Sequence, residues 1–184
     1  MVEGFKHTEV GLIPNDWNVM SICEVADINQ NGGKRIPDEF IYIDLESVTE
    51  GKLVKRNVIK KDKAPSRAQR IVFIDDILFQ TVRPYQKNNL HFKEKGDFIA
   101  STGYAVLRSK IDAGYLYAQL HTDRFVNNVI DLCTGTSYPA INPNILATVK
   151  IPLPHTKAEQ TAIATALNDA DALTQKLEKL IAKK

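Results

Sequence analysis

The chain has 184 residues, 43% of them hydrophobic and 25% charged, with a formal net charge of +2. That is the composition of a soluble chain with one sizeable core plus an appendage. The charge is too small to point to nucleic acid by itself, and apolar runs such as Ile71–Ile74 fall far short of a membrane span.

Thr8 to Trp17 reads as an irregular lead-in, with Gly11 and Pro14 before Trp17, the only tryptophan, for which a core or staple role is expected. Ser21 to Ile28 is predicted as a short helical turn, since Ile22, Val25 and Ile28 share a face, and Gly32-Gly33 marks a loop. From Phe40 the period changes. Phe40–Ile43, Leu53-Val54, Val58-Ile59, Ile71–Phe73, Ile77–Val82, Asn89–Phe92 and Tyr104–Leu107 are strand-like runs separated by Gly-, Asp- or Lys-rich turns. Short strands at close spacing predict an α+β fold with a mostly antiparallel, β-rich domain rather than alternating β–α units. Two helices follow, one over Ala113 to His121 and one capped by Asp123 that carries Phe125, Val126, Val129 and Ile130 on one side. Asn142-Pro143 opens a further turn, and Val149–Ile151 reads as a last strand.

Ile151-Pro152-Leu153-Pro154 stops this pattern, and a long helix begins. Thr156 and Glu159 have the spacing of a capping box. Beyond them Ile163, Ala166, Ala170, Leu173, Leu177 and Leu180 recur in steps of three and four, the seam of a coiled coil. Leu167 and Ile181 widen that stripe and keep open a helix folded back on its own domain. The expected division is a globular domain over residues 1–154 and a dimerisation and spacer helix over 155–184, about 43 Å long from Thr156 if fully helical.

Charge is unevenly distributed. Lys52, Lys55, Arg56, Lys60, Lys61, Lys63, Arg67 and Arg70 face only Asp62 in their stretch, whereas Asp38, Glu39, Asp44, Glu46 and Glu50 precede them without a base. The asymmetry fits an electropositive face for phosphates and equally a solvated loop. Cys23 and Cys133 lie far apart with no metal or redox spacing and read as small buried hydrophobes in a reducing compartment. The opening Met1–His7 has no apolar run of the secretory kind, so a cytoplasmic protein is expected.

Catalytic patterns are sparse. Gly33-Lys34 lacks the earlier glycine and following hydroxyl of a phosphate-binding loop, and Asn142-Pro143-Asn144-Ile145 departs at two positions from an adenine-methyltransferase loop. His7, His91, His121 and His155 are isolated, with no pair spaced to hold zinc. Asp38, Glu50 and Lys52 have the spacing of a degenerate metal-nuclease core, in which carboxylates hold a metal and a lysine assists the attacking water.

Three loops instead mix basic, amide, hydroxyl and aromatic groups: residues 29–35, 81–89 and 134–138. Amides pair with adenine edges, and Arg or Lys with guanine or phosphate. The candidate DNA-binding residues are Asn31, Lys34, Arg35, Arg83, Tyr85, Lys87, Thr136, Ser137 and Tyr138. The same residue types also serve polar turns.

A family resemblance runs through nearly the whole chain. It is carried by Thr8–Trp17 with Glu24–Ile28, by Asp76–Pro84, and by Ser137–Pro154 followed by Glu159-Gln160 and Ile163-Ala164. These segments resemble the specificity subunits of type I restriction-modification systems, loosely between Gly32 and Arg70 and closely around Pro-Leu-Pro…Glu-Gln. The resemblance implies a non-catalytic subunit without a cofactor of its own, whose recognition domain reads one half of a bipartite double-stranded DNA target. It also implies docking of a methyltransferase subunit, which binds S-adenosylmethionine, and of an ATP-driven restriction/translocase subunit. Members of this family usually carry two recognition domains and two helices, whereas this sequence holds one of each. A homodimer through Ile163, Ala166, Ala170, Leu173, Leu177 and Leu180 is therefore expected, its two-fold symmetry calling for an inverted-repeat target. The rivals are a coiled-coil adaptor that binds protein and the nuclease built on Asp38, Glu50 and Lys52.

Overall fold

The computed structural model describes residues 3–182. In chain order the elements are β1 (Phe5–Thr8), β2 (Gly11–Pro14), β3 (Asn18–Ser21), α1 (Ile22–Val25), β4 (Ala26–Ile28), β5 (Glu39–Ile43), β6 (Val48–Thr49), β7 (Lys52–Leu53) and β8 (Asn57–Lys60). They continue with β9 (Ala68–Val72), β10 (Ile77–Gln80), β11 (Leu90–His91), β12 (Phe98–Ser101), β13 (Tyr104–Ser109), α2 (Ala113–Leu120), α3 (Asp123–Asp131), α4 (Pro143–Leu146), β14 (Lys150–Leu153) and α5 (Lys157–Ile181). The fold is α+β, as the strand spacing predicts.

Two four-stranded sheets form the body, ordered β11-β10-β13-β4 and β8-β5-β12-β9. Their pairings are antiparallel except for β5 with β12, which run parallel in the register Phe98↔Ile41 to Ala100↔Ile43. Side chains alternate across a strand, and the alternation here sorts the core into layers. Ile77 and Phe79 of β10, with Ala105 and Leu107 of β13, face Leu116, Leu120, Phe125, Val129 and Leu146 of the helices. Leu78, Tyr104 and Val106 point the other way, toward Ile43, Val72, Phe98 and Ala100 of the second sheet. The outer face of that sheet keeps a smaller cluster around Phe40, Ile71 and Ile99. Every residue of β10 is buried because both faces of its sheet are covered. Helix, sheet and sheet thus stack as three layers.

Several local expectations are corrected. The lead-in before Trp17 is an ordered hairpin, β1 with β2, closed by Glu9-Val10 with Thr8↔Gly11 in register. Ser21–Ile28 divides into the single turn α1 and the strand β4, which pairs with β13 from Ala26↔Ser109 to Ile28↔Leu107. The strand β12 has no counterpart among the predicted runs. Cys23 is exposed and Cys133 half-buried, because α1 turns only Ile22 and Val25 into the core. The cap of α3 is Thr122, whose hydroxyl accepts from Phe125 N at 3.3 Å, while Asp123 sits in the first turn.

The seam at Pro154 is a fixed joint. Strand β14 returns to pair with β3 from Lys150↔Ser21 to Leu153↔Asn18, so both ends of the domain meet beside α5. Tyr115 Oη donates to Pro152 O at 2.8 Å. Thr156 caps α5 through its hydroxyl, which accepts from Glu159 N at 3.2 Å. The predicted reciprocal bond is replaced, since Glu159 Oε1 accepts from Trp17 Nε1 at 3.0 Å. Trp17 also meets Tyr115 edge to face, with centroids 6.3 Å apart. Its role is thus a tie between the first strands and the helix.

The start of α5 lies along α2. A Cβ at Gly114 would come within 3.1 Å of Ala164 Cβ, so glycine permits this close approach. The face of α5 toward the domain is largely polar. Gln160 is buried and bonds both Asp112 N and Pro154 O; Thr161 donates to Asp112; Lys52 reaches Gln175 at 3.2 Å. Only Ala164, with half-buried Ile163 beside it, adds apolar burial to this docking. Ala166, Leu167, Ala170, Leu173, Leu177, Leu180 and Ile181 are exposed. None of the described helices is long and apolar enough to cross a membrane.

Candidate nucleic-acid interface

Two of the three loops singled out from the sequence converge. Thr134 and Ala140 exchange backbone bonds at 2.9 and 3.0 Å, closing the turn that carries Thr136, Ser137 and Tyr138. Gly135 stands at φ +86° within it, a conformation suited to glycine. Val82 bridges to Ala140, and Arg83 N donates to Pro139 O at 2.7 Å, so residues 81–83 and 134–140 form one ribbon. Its base is pinned by Thr81, whose N and hydroxyl both donate to Gly103 O.

The ribbon holds Arg83 in a prepared geometry. Its backbone is left-handed (φ 55°, ψ 55°), which costs a non-glycine residue about 1–2 kcal/mol. Pro84 then opens a 3-10 turn over Pro84–Gln86. The Arg83 guanidinium lies 4.3 Å from the centre of the Tyr138 ring, within cation–π range. Arg83 Nε is buried without a hydrogen-bond partner, and so is Gln80 Oε1 beneath it. Gln80 Nε2 donates to Val82 O and to Gln86 Oε1 at 2.6 and 2.9 Å, and Gln80 N donates to Asn89 Oδ1. These residues open on a cleft of about 740 Å³, completed by Leu45, Glu46, Arg67, Thr102 and Gly103.

The other candidates divide. Thr136 and Ser137 are exposed on the ribbon, and Tyr85 is half exposed on the 3-10 turn. Lys87 turns away: its ammonium donates to His121 O at 2.9 Å and pairs with Asp123 at 2.7 Å, holding that carboxyl below its ordinary range. Asn31, Lys34 and Arg35 form a separate group. Lys34 lies 4.8 Å from the Phe73 ring centre, and Arg108 covers the same ring at 4.3 Å. Asn29 sets this loop, its backbone left-handed (φ 58°) and its Oδ1 accepting from Val106 N. Lys34 and Arg35 border a second cleft of about 410 Å³ with Phe73 and Lys95. Within the basic stretch Lys55 pairs with Glu46 and Arg56 with Glu94, while Lys60, Lys61 and Lys63 are exposed.

The residues of the nuclease pattern have other engagements. Asp38 O accepts from Lys61 N, Glu50 lies in the left-handed turn between β6 and β7, and Lys52 bonds Gln175. Among the described residues no three His, Cys, Asp or Glu side chains gather as a metal site. Sequence reasoning placed Gln86 in the 81–89 loop without making it a contact, did not make Gln80 a candidate, and left Arg67 within a general basic run. Gln80 and Gln86 meet across a local turn, whereas the pairing of β9 with β12 brings Arg67 to the same cleft.

The chemistry of the ribbon and cleft is that of binding: guanidinium, amide and hydroxyl groups beside aromatic faces, on a domain fastened to a helix. Comparison with known proteins gives the class. Residues 14–184 match the type I restriction modification DNA specificity domain, and the chain belongs to that family. It is 29% identical over 187 residues to the type I restriction enzyme MjaVIII specificity subunit of Methanocaldococcus jannaschii, covering 94% of this chain and 44% of that protein. The crystal structure of the HsdS subunit from Thermoanaerobacter tengcongensis superposes with a TM-score of 0.78 at 28% identity, over 93% of this chain and 46% of that one. A structure from work on complex assembly and conformational transition of the type I R-M system gives 0.75 at 28% identity, over 91% and 44%. The chain thus spans a little under half the length of these relatives.

Proposed function

We propose that this chain is a DNA-reading specificity component of a type I restriction-modification system. Residues 1–154 act as a recognition domain for one half of a bipartite target, and residues 155–184 as spacer and dimerisation helix. The observation that carries this reading is that the family match spans residues 14–184, taking in both most of the domain and α5. The exposed Leu173, Leu177 and Leu180 support pairing of two copies through their helices, since a soluble helix buries such a stripe against something. Polar ties along the opposite side of α5 leave its apolar side for the partner.

Contact with the duplex falls to Arg83, Tyr85, Thr136, Ser137 and Tyr138 on the ribbon, and to Asn31, Lys34 and Arg35 on the second group. Lys87 acts there only by giving up its bond to Asp123. The chain contributes no catalytic group of its own: methylation and cleavage belong to methyltransferase and restriction/translocase subunits docked on the complex in the cytoplasm. Mapping methylated adenines in the genome of cells with and without this gene tests the proposal. The expected result is loss of one bipartite motif; an unchanged methylome in cells shown to express the partner subunits would refute it.

A further inference from the structure

The cleft beside Arg83 has a floor and two unlike sides. Its floor is the turn Thr102-Gly103 between β12 and β13. On one side Gly103 O accepts from Thr81, leading to Arg83 and Tyr138; on the other Thr102 N donates to Arg67 O at 2.9 Å. Arg67 therefore has a fixed backbone next to buried Ala68, and an exposed side chain. Glu46 lines the same cleft, its side chain 80% exposed and, among the described residues, paired only with Lys55.

We propose that Arg67 is the specificity-determining residue of this cleft and reads guanine in the DNA major groove, with Glu46 accepting from the amino group of the paired cytosine. This rests on the DNA-reading function proposed above. Glu46 is the one acid among the lining residues; once its bridge to Lys55 opens, a free carboxylate repels phosphate and accepts from a base amino group, which favours base edges over backbone at this wall. A G·C pair shows two acceptors, guanine O6 and N7, beside the cytosine N4 donor. A guanidinium and a carboxylate match that pattern. The exposed Glu46–Lys55 bridge is weak enough to exchange.

Arg83 plays a different part. Tyr138 covers one face of its guanidinium, Nε is closed off, and the hydroxyls of Thr136 and Ser137 lie on the same ribbon, a set suited to phosphate.

The test incubates the full chain with duplexes carrying a randomised stretch, sequences the bound fraction, and measures salt dependence on one fixed duplex. The wild type should enrich guanine at a fixed position. Arg67→Ala and Arg67→Lys should both lose that preference by roughly tenfold to a hundredfold, the lysine keeping charge without the planar fork. Arg83→Ala should weaken all sequences alike and lower the salt slope by about one while keeping the guanine. An unchanged motif in Arg67→Ala, or a guanine preference lost in Arg83→Ala, overturns the assignment. Wild-type binding without sequence preference overturns it too and leaves DNA binding standing; no binding to any duplex, with the methyltransferase subunit added as well as without it, removes the underlying function with it.

Discussion

Arg108 and Asp76 show how single residues hold this domain in shape. Asp76 is almost wholly buried, and its carboxylate accepts from Arg108 Nε and Nη2, both at 3.0 Å, and from Phe73 N at 2.8 Å. A buried charge persists only when so matched, and the match also holds Arg108 over Phe73 beside Lys34. Two histidines supply a pH response. His91 and His121 both have their pKa lowered from the ordinary 6.5, chiefly by burial; Lys93 adds to it at His91, opposed by Asp75 and Asp112, and Lys87 adds to it at His121, opposed by backbone bonds and Asp171. The unfolded chain therefore binds more protons than the folded one below about pH 6.5. Stability should be level above that pH and fall as pH drops through the two depressed values. Asp75, Asp112 and Asp123, lowered from 3.8, add losses only in more acid solution. Urea unfolding between pH 7.5 and 5 checks this; a midpoint that does not move would contradict it, and His121→Gln should reduce the slope.

At the scale of elements, α5 is the least self-sufficient part. Its docking on α2 rests on hydrogen bonds from Gln160 and Thr161 and on the Gly114–Ala164 approach, while its large apolar side chains face outward. Burying an exposed leucine contributes about 1.5–3 kcal/mol, so three leucines from each helix would favour the proposed pairing against the cost of association. Leu177→Asp should convert a dimer to monomer in sedimentation equilibrium without lowering the unfolding midpoint of the domain. A monomeric wild type, or a dimer indifferent to this change, would refute helix pairing. The beginning of this helix was legible in local chemistry, because Thr156 and the prolines act through neighbours in sequence. The partner of Glu159 was not: Trp17 stands 142 positions away and arrives only through the pairing of β3 with β14.

Across the whole molecule, the joint of Trp17, Tyr115, Pro152 and Glu159 ties the globular domain to α5 at a set angle. With α5 at 25 residues, or about 37 Å, an antiparallel pair of copies would set two domains roughly one DNA turn apart. Inserting one heptad in the exposed half of α5 keeps the stripe in phase and adds about 10 Å. The non-specific gap of the target should then grow by about three base pairs, read from the methylated motif; an unchanged gap would show that the helix does not set the spacing.

What the sequence determined by itself was whatever depends on near neighbours. Strand periods, the Pro-Leu-Pro stop, the Thr156 cap and the three polar loops all act over a few residues, and the family resemblance rests on such segments. Tertiary structure alone decided which loops share a surface. It joined 81–83 to 134–140, set Arg67 across the Thr102-Gly103 turn from them, and left Asn31, Lys34 and Arg35 beside Phe73. The physical reason is that backbone pairing between distant strands is chosen by the whole core, here including the parallel match of β5 with β12. No local pattern specifies it.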